Sequence, residues 1–227
     1  MRALLIVLSL LTVPAVVAEP VVGEATLPLG EGELRWRRGE GLTLRYREQR
    51  LWLPGGSDLV LHDPAWTTQH WNSSNYPPTG ELQRDGQRHL LTLVYEGGGM
   101  AATQTISAEP NGRFGIVWRL RQDNWQPASL QLTVAKPAEA FLAGAQFEAT
   151  VGGKPVSGTI PEVFDPKRKQ PVAGATAMVF RSLFGTVDLK ASEPLAVYDY
   201  EKRNGAFWLG FDRPLPRGEE QTFSLSG

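Results

Sequence analysis

Residues 62–78 gather more side chains that could do chemistry than any other segment of the chain. They include two of the three histidines and two of the seven tryptophans. Flat aromatic rings stack on the C–H faces of sugars, and amide groups hydrogen-bond to sugar hydroxyls. The segment therefore predicts a saccharide-binding site made of Trp66, His70, Trp71, Asn72, Asn75 and Tyr76. The alternative interpretation is that both tryptophans close the end of a β-sandwich while the asparagines only turn the chain.

The same segment gives little support for a metal site or for a catalytic nucleophile. His62 and Asp63 are neighbours, so on a strand their side chains would point to opposite faces. The sequence contains neither an HxH nor an HExxH spacing, and it has no cysteine. A nucleophilic serine needs a base and an orienting acid, and no Gly-x-Ser-x-Gly motif occurs. We therefore expect no metal site and no cofactor.

Paired carboxylates offer the remaining route to catalysis, because glycoside cleavage uses two acids about 5–10 Å apart. Asp199 and Glu201 would share one face of a strand, with Tyr198 and Tyr200 on the other. The same pattern is also typical of a strand end whose acids point to solvent. No catalytic residue is assigned on this basis.

Three functions are compatible with these residues. The first is a secreted, non-catalytic protein that binds or accompanies a polysaccharide or oligosaccharide. The second is a saccharide-active enzyme, a hydrolase, lyase or mutarotase-like isomerase, that uses His70 or nearby acids. The third is a structural envelope protein that binds a protein partner, for example by adding a strand to a sheet edge. The absence of a convincing acid–base set favours the first.

The elements that must position these residues are short strands. Runs of alternating polar and apolar residues recur between Gly, Pro, Asn and Asp, as in residues 42–46 and 58–62. Asp85-Gly86 and Asn111-Gly112 each separate two such runs and predict hairpins, because glycine accepts the positive φ that tight hairpin turns require. Trp118, Trp208 and Phe211 lie among aliphatic residues and are predicted to be core. Residues 138–149 hold the best helix formers, but Gly144 interrupts them.

Roughly fourteen strands result, which predicts an all-β fold: a large antiparallel β-sandwich of two sheets. Without cysteine, stability must come from burial, which a chain of this length can supply without disulfides. The whole chain has 23 basic and 24 acidic residues. This balance argues against a nucleic-acid partner, which would select a basic surface.

The N-terminus has the features of a secretory signal peptide. Met1-Arg2 precedes an apolar run, and Val16-Val17-Ala18 provides the small residues of a cleavage site. The run is too short to span a membrane as a helix, which takes about 20 residues. We predict a signal peptide over residues 1–18, cleavage after Ala18, and one mature domain over residues 19–227. Such a protein is expected in a bacterial periplasm or outside the cell, with no stable membrane span.

The order of segments resembles a large β-sandwich module of bacterial secreted proteins, of the kind that often precedes glycoside hydrolase domains. Three parts carry the likeness: residues 59–66, the hairpin at Asn111-Gly112, and residues 183–223, which include Val197-Tyr198-Asp199-Tyr200 and Phe207-Trp208-Leu209-Gly210-Phe211. The resemblance implies a supersandwich-like fold associated with carbohydrates.

Overall fold

Strands account for nearly all of the regular structure. A computed structural model describes residues 17–201 and 205–227, and within these ranges it contains eighteen strands and one α-helix. The strands are β1 Val17–Val21, β2 Glu24–Leu29, β3 Gly32–Arg37, β4 Gly41–Tyr46, β5 Gln49–Gly56, β6 Asp58–His62, β7 Gln69–Asn72, β8 Thr79–Asp85, β9 Arg88–Gly97, β10 Met100–Ala108, β11 Phe114–Gln122, β12 Ser129–Ala135, β13 Gln146–Val151, β14 Lys154–Thr159, β15 Val172–Ser182, β16 Gly185–Tyr198, β17 Trp208–Pro214 and β18 Gln221–Ser226.

Both predicted hairpin turns are present. Asp85-Gly86 joins β8 to β9, with Gly86 at φ +59°, and Asn111-Gly112 lies in the turn from β10 to β11. Alternating residues of these strands are buried. In β11, Phe114, Ile116, Trp118 and Leu120 are buried, and the intervening residues are half-buried or exposed. The local sequence therefore determines both the turns and the side of each strand that faces the core.

A large antiparallel sheet of 14 strands contains the order β1-β8-β9-β10-β11-β18-β16-β17-β12-β6-β7. Its branch point is β16, which pairs with β15 over most of its length, from Gly185 to Val197, and also pairs with β18 at Lys190 and Ala191 and with β17 at its end. β13 and β14 extend the sheet beyond β15. The one long strand β16 therefore links the part of the sheet from β1 to β18 with the part from β17 to β7.

A second sheet of 4 strands, β2-β3-β4-β5, is a simple meander. Its inward residues, such as Leu27, Leu34 and Leu42, are fully buried in one cluster with Leu91 and Ile106 of the large sheet. The end of β5 approaches β12, where the Ser57 N–H donates to the Val134 carbonyl at 3.1 Å. The prediction of an all-β, two-sheet antiparallel sandwich is confirmed, although the described residues contain more strands than the roughly fourteen expected.

The only α-helix among the described residues is α1, Glu139–Leu142, which buries Phe141 and Leu142. Gly144 follows it at φ +73°, and the chain then enters β13. The helix-forming stretch is thus divided at the glycine, as its sequence indicated. No described helix is long and apolar enough to cross a membrane. The predicted signal peptide lies outside the described residues except for Val17 and Ala18.

Candidate functional site

Four neighbouring strands, β16, β17, β12 and β6, present an outward sheet surface that we call the aromatic face. Their inward positions are core residues such as Leu59, Leu61, Leu130 and Leu132. The alternate positions face the other way, and register places Tyr198 opposite Trp208 and Gln131 opposite Asp212. The positions on this side of the sheet are Tyr198, Trp208, Gly210, Asp212, Ser129, Gln131, Thr133, Asp58, Val60 and His62. Gly210, Ser129, Thr133, Val60 and His62 are buried, so the surface that a ligand can reach is that of Tyr198, Trp208, Asp212, Gln131 and Asp58.

Aromatic rings form one side of this face. Tyr198 and Tyr200 stack in parallel with ring centres 5.7 Å apart, and Tyr200 meets Trp208 edge-on at 5.4 Å. The Nζ atom of Lys136 lies 4.3 Å from the centre of the Trp208 ring, within the range of a cation–π contact. All four side chains are half-buried. The rings are therefore held in place but keep surface that another molecule can reach.

An acidic side chain, Asp212, lies on the side of the aromatic face opposite the rings. Asp212 keeps 34% of its side chain exposed, and its Oδ2 lies 3.2 Å from Nε2 of His62. The His62 Nδ1 atom lies 2.6 Å from the carbonyl oxygen of Asp63, which can only accept a hydrogen bond. His62 is 1% exposed, and its Nε2 forms no hydrogen bond within the described part of the chain although Asp212 is close. Of the two groups, the Asp212 carboxylate is the one that a ligand can contact.

Trp66 covers the His62 ring. The two rings stack with centres 3.5 Å apart and an angle of 27° between their planes. Trp66 adopts φ +59° in a tight turn in which the Asp63 carboxylate accepts from the Thr67 hydroxyl and from the Thr68 N–H, both at 2.7 Å. The Thr68 N–H in particular holds the pKa of Asp63 below its usual value. The turn thus fixes Trp66, 52% exposed, at one rim of the aromatic face.

Asp58 lies at another edge of the face, beside the end of β5. Burial raises its pKa, although the Ser73 hydroxyl donates to Oδ1 at 2.7 Å and lowers it in part. The neighbouring Lys136 shows the complementary effect, because burial lowers its pKa and the charge of Asp58 opposes the change. Both groups are therefore partly desolvated, a condition that often marks a functional site.

The two tyrosines are affected by the same surroundings. Burial is the main reason that the pKa values of Tyr198 and Tyr200 are raised, and the negative charge of Asp212 adds to the effect in both. Their phenol groups consequently stay protonated and can donate hydrogen bonds at neutral pH. The arrangement offers stacking surfaces, hydroxyl donors, a carboxylate acceptor and the Gln131 amide on one sheet surface.

The predicted ligand residues of the 62–78 segment are distributed over several surroundings. Trp66 reaches the aromatic face, and Asn72 is paired with Val60 on that side, where its Oδ1 accepts from the N–H and hydroxyl of Ser74. Asn75 is exposed in the 3₁₀ turn of residues Ser73–Asn75. Ligand binding by these residues stays a prediction.

Three other residues of that prediction lie elsewhere. Trp71 is 2% exposed, stacks on Tyr76 at 5.1 Å, and donates from Nε1 to the Gly97 carbonyl at 3.1 Å. His70 stacks on the half-buried Trp125, with ring centres 5.5 Å apart. Trp71 thus packs the core, and ligand binding by His70, Trp71 and Tyr76 stays a prediction.

Several residues of the aromatic face were not singled out by sequence. Trp208 was predicted to be core, and it is half-buried on the outward side, whereas Trp118 and Phe211 are buried as predicted. The proposed strand face of Asp199 and Glu201 is wrong, because β16 ends at Tyr198. The Tyr-x-Tyr pattern was the one available signal. Among residues 17–201 and 205–227, no group of three or more His, Asp or Glu side chains is placed to hold a metal ion.

Comparison with known proteins finds similarity in structure only. No family model and no curated protein matches the sequence. A putative aldose 1-epimerase from Escherichia coli K12 superimposes with a TM-score of 0.54 at 8% identity, over 90% of this chain and 98% of that one. The galactosidase domain of an alpha-galactosidase-sucrose kinase gives 0.51 at 10% identity over 90% of this chain. A GH36 alpha-galactosidase from Geobacillus stearothermophilus gives 0.50 at 10% identity over 93%.

The chain corresponds to 40% of the length of each of those two galactosidase chains. At these identities the similarity establishes the fold. The fold is therefore one that sugar-related β-sandwich proteins also have, in line with the resemblance noted in the sequence.

Proposed function

We propose that this protein is an exported, non-catalytic carbohydrate-binding β-sandwich that holds a saccharide on the aromatic face. The observation that carries the proposal is the row of half-buried rings, Tyr198, Tyr200 and Trp208, beside the reachable carboxylate of Asp212 on one sheet surface. Aromatic rings next to hydrogen-bonding groups are what a sugar requires, since it has apolar C–H faces and a polar edge. The sugar-related proteins of similar fold support the same class of ligand.

The geometry suggests how a sugar would be held. One face of a pyranose ring would stack on Trp208 or the tyrosines, while its hydroxyls would bond to Asp212 and to the Gln131 amide. Gly210 lies between Trp208 and Asp212 on β17 and is buried, so a sugar would contact the ring of Trp208 and the carboxylate of Asp212 on either side of it. Trp66 at the rim would contact the next sugar unit of an oligosaccharide.

Binding is best tested by calorimetry with the oligosaccharides that a glycan array identifies. Trp208→Ala and Asp212→Asn should each weaken binding about tenfold, the loss expected for one stacking contact or one charged hydrogen bond. Phe184→Ala and Asp123→Asn are matched controls, because these residues lie at other surfaces, and they should leave affinity unchanged. Equal circular dichroism spectra would show that the variants fold.

No binding to any array glycan would overturn the proposal, as would binding that the Trp208 and Asp212 variants retain in full. Export is a separate part of the proposal. It predicts that the protein recovered from a bacterial periplasm or culture medium begins at Glu19, which mass spectrometry of the intact protein measures. Recovery of the full-length chain from the cytoplasm would contradict it.

A second candidate function is the interconversion of the two anomers of an aldose, and the epimerase-like fold over nearly the full length of that structure favours it. In such a reaction a base removes the proton of the anomeric hydroxyl and an acid protonates the ring oxygen. Asp212, which lies 3.2 Å from His62, would be the base. Polarimetry of fresh α-glucose and α-galactose tests this reaction. A rate above the buffer rate that is lost in Asp212→Asn would replace the binding proposal with the enzymatic one.

A further inference from the structure

One side chain beside the aromatic face has no role in the saccharide contacts proposed above. Lys136 directly follows β12, and its Nζ atom lies 4.3 Å from the centre of the Trp208 ring. The side chain is half-buried, and it forms no ion pair with any residue in the described part of the chain. Partial removal of an unpaired ammonium group from water favours its neutral amine form.

Asp58 is the acid whose charge acts on Lys136. Burial lowers the pKa of Lys136, and the charge of Asp58 opposes this effect. Burial raises the pKa of Asp58, and the hydrogen bond from Ser73 and the charge of Lys136 oppose it. The two pKa values therefore approach each other, so moving one proton from the ammonium group to the carboxylate is less unfavourable than in water. The transfer produces a neutral amine beside a carboxylic acid.

The backbone leaves space for this pair of groups. Gly55 lies against the Nζ atom of Lys136, and a methyl group at Gly55 would overlap the amine. Gly55 and Asp58 also line a cavity of about 270 Å³, together with Ser73 and Tyr95. A small molecule can therefore reach the carboxyl group of Asp58 from the cavity and the amine of Lys136 from the aromatic face.

A neutral amine beside an acid can condense with an aldehyde. The amine nitrogen attacks the carbonyl carbon, a C–N bond forms, and one amine proton moves to the former carbonyl oxygen. The carboxylic acid then protonates the resulting hydroxyl group, the C–O bond breaks, and water leaves. The nitrogen returns its remaining proton to the carboxylate. One amine and one aldehyde thus become one imine and one water, with no oxidant or reductant.

We propose that Lys136 forms an imine with the aldehyde group of a reducing saccharide bound at the aromatic face, and that Asp58 supplies the proton for the loss of water. Among the groups of a neutral saccharide, the aldehyde of the reducing end is the one that a lysine amine attacks. The choice of a saccharide rests on the proposed function, whereas the reactivity of Lys136 towards an aldehyde does not. The imine would hold the ligand reversibly and would distinguish a reducing saccharide from a non-reducing glycoside.

The test compares the lysines of one protein with each other. The chain has six, of which Lys154, Lys167, Lys169 and Lys190 are exposed. The full mature chain is incubated with glycolaldehyde at neutral pH, samples are quenched at intervals with sodium borohydride, and peptide mass spectrometry measures the imine trapped at each lysine. Lys136 should react at least about tenfold faster than Lys190, because a positioned acid contributes about 10²–10⁴-fold to a reaction rate.

Asp58→Asn distinguishes a proton donor from a neighbour that only sets the charge of Lys136. The substitution removes a negative charge that favours the ammonium form, so it should increase the fraction of free amine. Acetylation by N-acetylimidazole, which needs a free amine and no loss of water, should then be as fast or faster at Lys136. Imine formation should instead be at least about tenfold slower. Asp123→Asn, at an exposed position elsewhere, is the matched control and should change neither rate.

The proposal is overturned if Lys136 reacts with glycolaldehyde no faster than Lys190, or if Asp58→Asn leaves imine formation as fast as before. The comparison among lysines needs no variant, so it decides the reactivity of Lys136 even where Asp58→Asn folds poorly.

Protection by a bound glycan tests the choice of substrate. A glycan that binds at the aromatic face should slow the labelling of Lys136 and leave that of Lys190 unchanged. Fast labelling of Lys136 that no bound glycan slows would overturn the saccharide as the source of the aldehyde. Slow labelling of Lys136 in a protein that binds glycans normally would overturn the imine and leave the proposed function intact, so the two proposals fail separately.

Discussion

Trp71 and Trp66 are five positions apart, and alanine at each should have opposite consequences. Trp71 is 2% exposed, stacks on Tyr76, and donates a hydrogen bond to the Gly97 carbonyl. Trp66 is 52% exposed, and its described ring partner is His62. Trp71→Ala should therefore destabilise the fold, whereas Trp66→Ala should leave stability nearly unchanged and weaken saccharide binding.

The size of the effect follows from burial. Replacing a buried Phe or Trp by alanine costs about 3–5 kcal/mol, and a lost neutral hydrogen bond contributes about 1 kcal/mol of such a change. For a domain of 150–250 residues, each kcal/mol lowers the midpoint of thermal unfolding by about 2–4 °C. Trp71→Ala should thus lose about 4 kcal/mol and melt about 8–16 °C lower. Trp66→Ala should lose about 1 kcal/mol or less, as is usual for surface positions.

Urea unfolding followed by far-UV circular dichroism measures both values, and glycan calorimetry on the same samples measures affinity. Trp71→Phe is the informative intermediate, because it keeps a ring against Tyr76 and removes only the N–H donor and part of the volume. Its loss should be smaller than that of Trp71→Ala. An unchanged slope of the unfolding free energy against urea concentration would show that the unfolded state is the same in all variants.

The reasoning is refuted if Trp71→Ala is as stable as the unmodified protein and loses glycan binding. That result would make Trp71 a ligand contact and would mean that the 62–78 segment forms the site by itself. A large loss of stability in Trp66→Ala would also contradict it, because the stacking on His62 would then be a core interaction.

Three further predictions concern the aromatic face and the core. Asp58→Asn should stabilise the fold at neutral pH, because burial raises the pKa of Asp58 in the folded protein. The stability of the unmodified protein therefore falls as pH rises from the unfolded pKa of about 3.9 through the folded pKa, and the gain from asparagine should vanish in urea titrations below about pH 3.9. Asparagine still accepts a hydrogen bond from the Ser73 hydroxyl. Gly210→Ala should destabilise by about 1–3 kcal/mol in urea, since its Cβ would lie 2.1 Å from the Leu132 carbonyl oxygen. Burial raises the pKa of Tyr95, so its phenol should ionise above about pH 10 in an ultraviolet titration of the folded protein, and Tyr95→Phe should remove that step.

For each of these three predictions, one result would contradict the reasoning. A loss of stability in Asp58→Asn at neutral pH would mean that attraction to Lys136 outweighs the cost of burial. Wild-type stability in Gly210→Ala would show that β12 moves away at little cost. Overlapping titration curves for the folded and the urea-unfolded chain would contradict the burial of the Tyr95 phenol.

Local structure was predictable from the sequence because its causes are local. The alternating run at residues 58–62 became β6 with the same bounds, and the run at 42–46 became β4 with one residue more. Asp85-Gly86 and Asn111-Gly112 formed the turns that their positive φ preference indicates. Each of these signals depends only on neighbouring residues, and so does the two-layer β class that many such strands imply.

The aromatic face was not predictable in the same way, since its strands are distant in sequence. β6 pairs with β12 about seventy positions later, and β12 pairs with β17 about eighty positions after that. Nothing near His62 indicates that Asp212 will lie 3.2 Å away. The neighbours are chosen by how the whole core packs, and a local pattern contains no information about that choice.

Trp71 and Asn72 show why suitable residue types at adjacent positions do not define one ligand site. Both were assigned to one ligand site because they are adjacent and have suitable side chains. Pairing with β6 places Trp71 opposite Leu61, which belongs to the core, and Asn72 opposite Val60, which lies on the other side of the sheet and is itself buried. Since side chains alternate along a strand, adjacent residues on β7 cannot serve the same surface. A saccharide site on a sheet must therefore be sought at alternate positions across several strands, as in Trp208, Asp212 and Gln131.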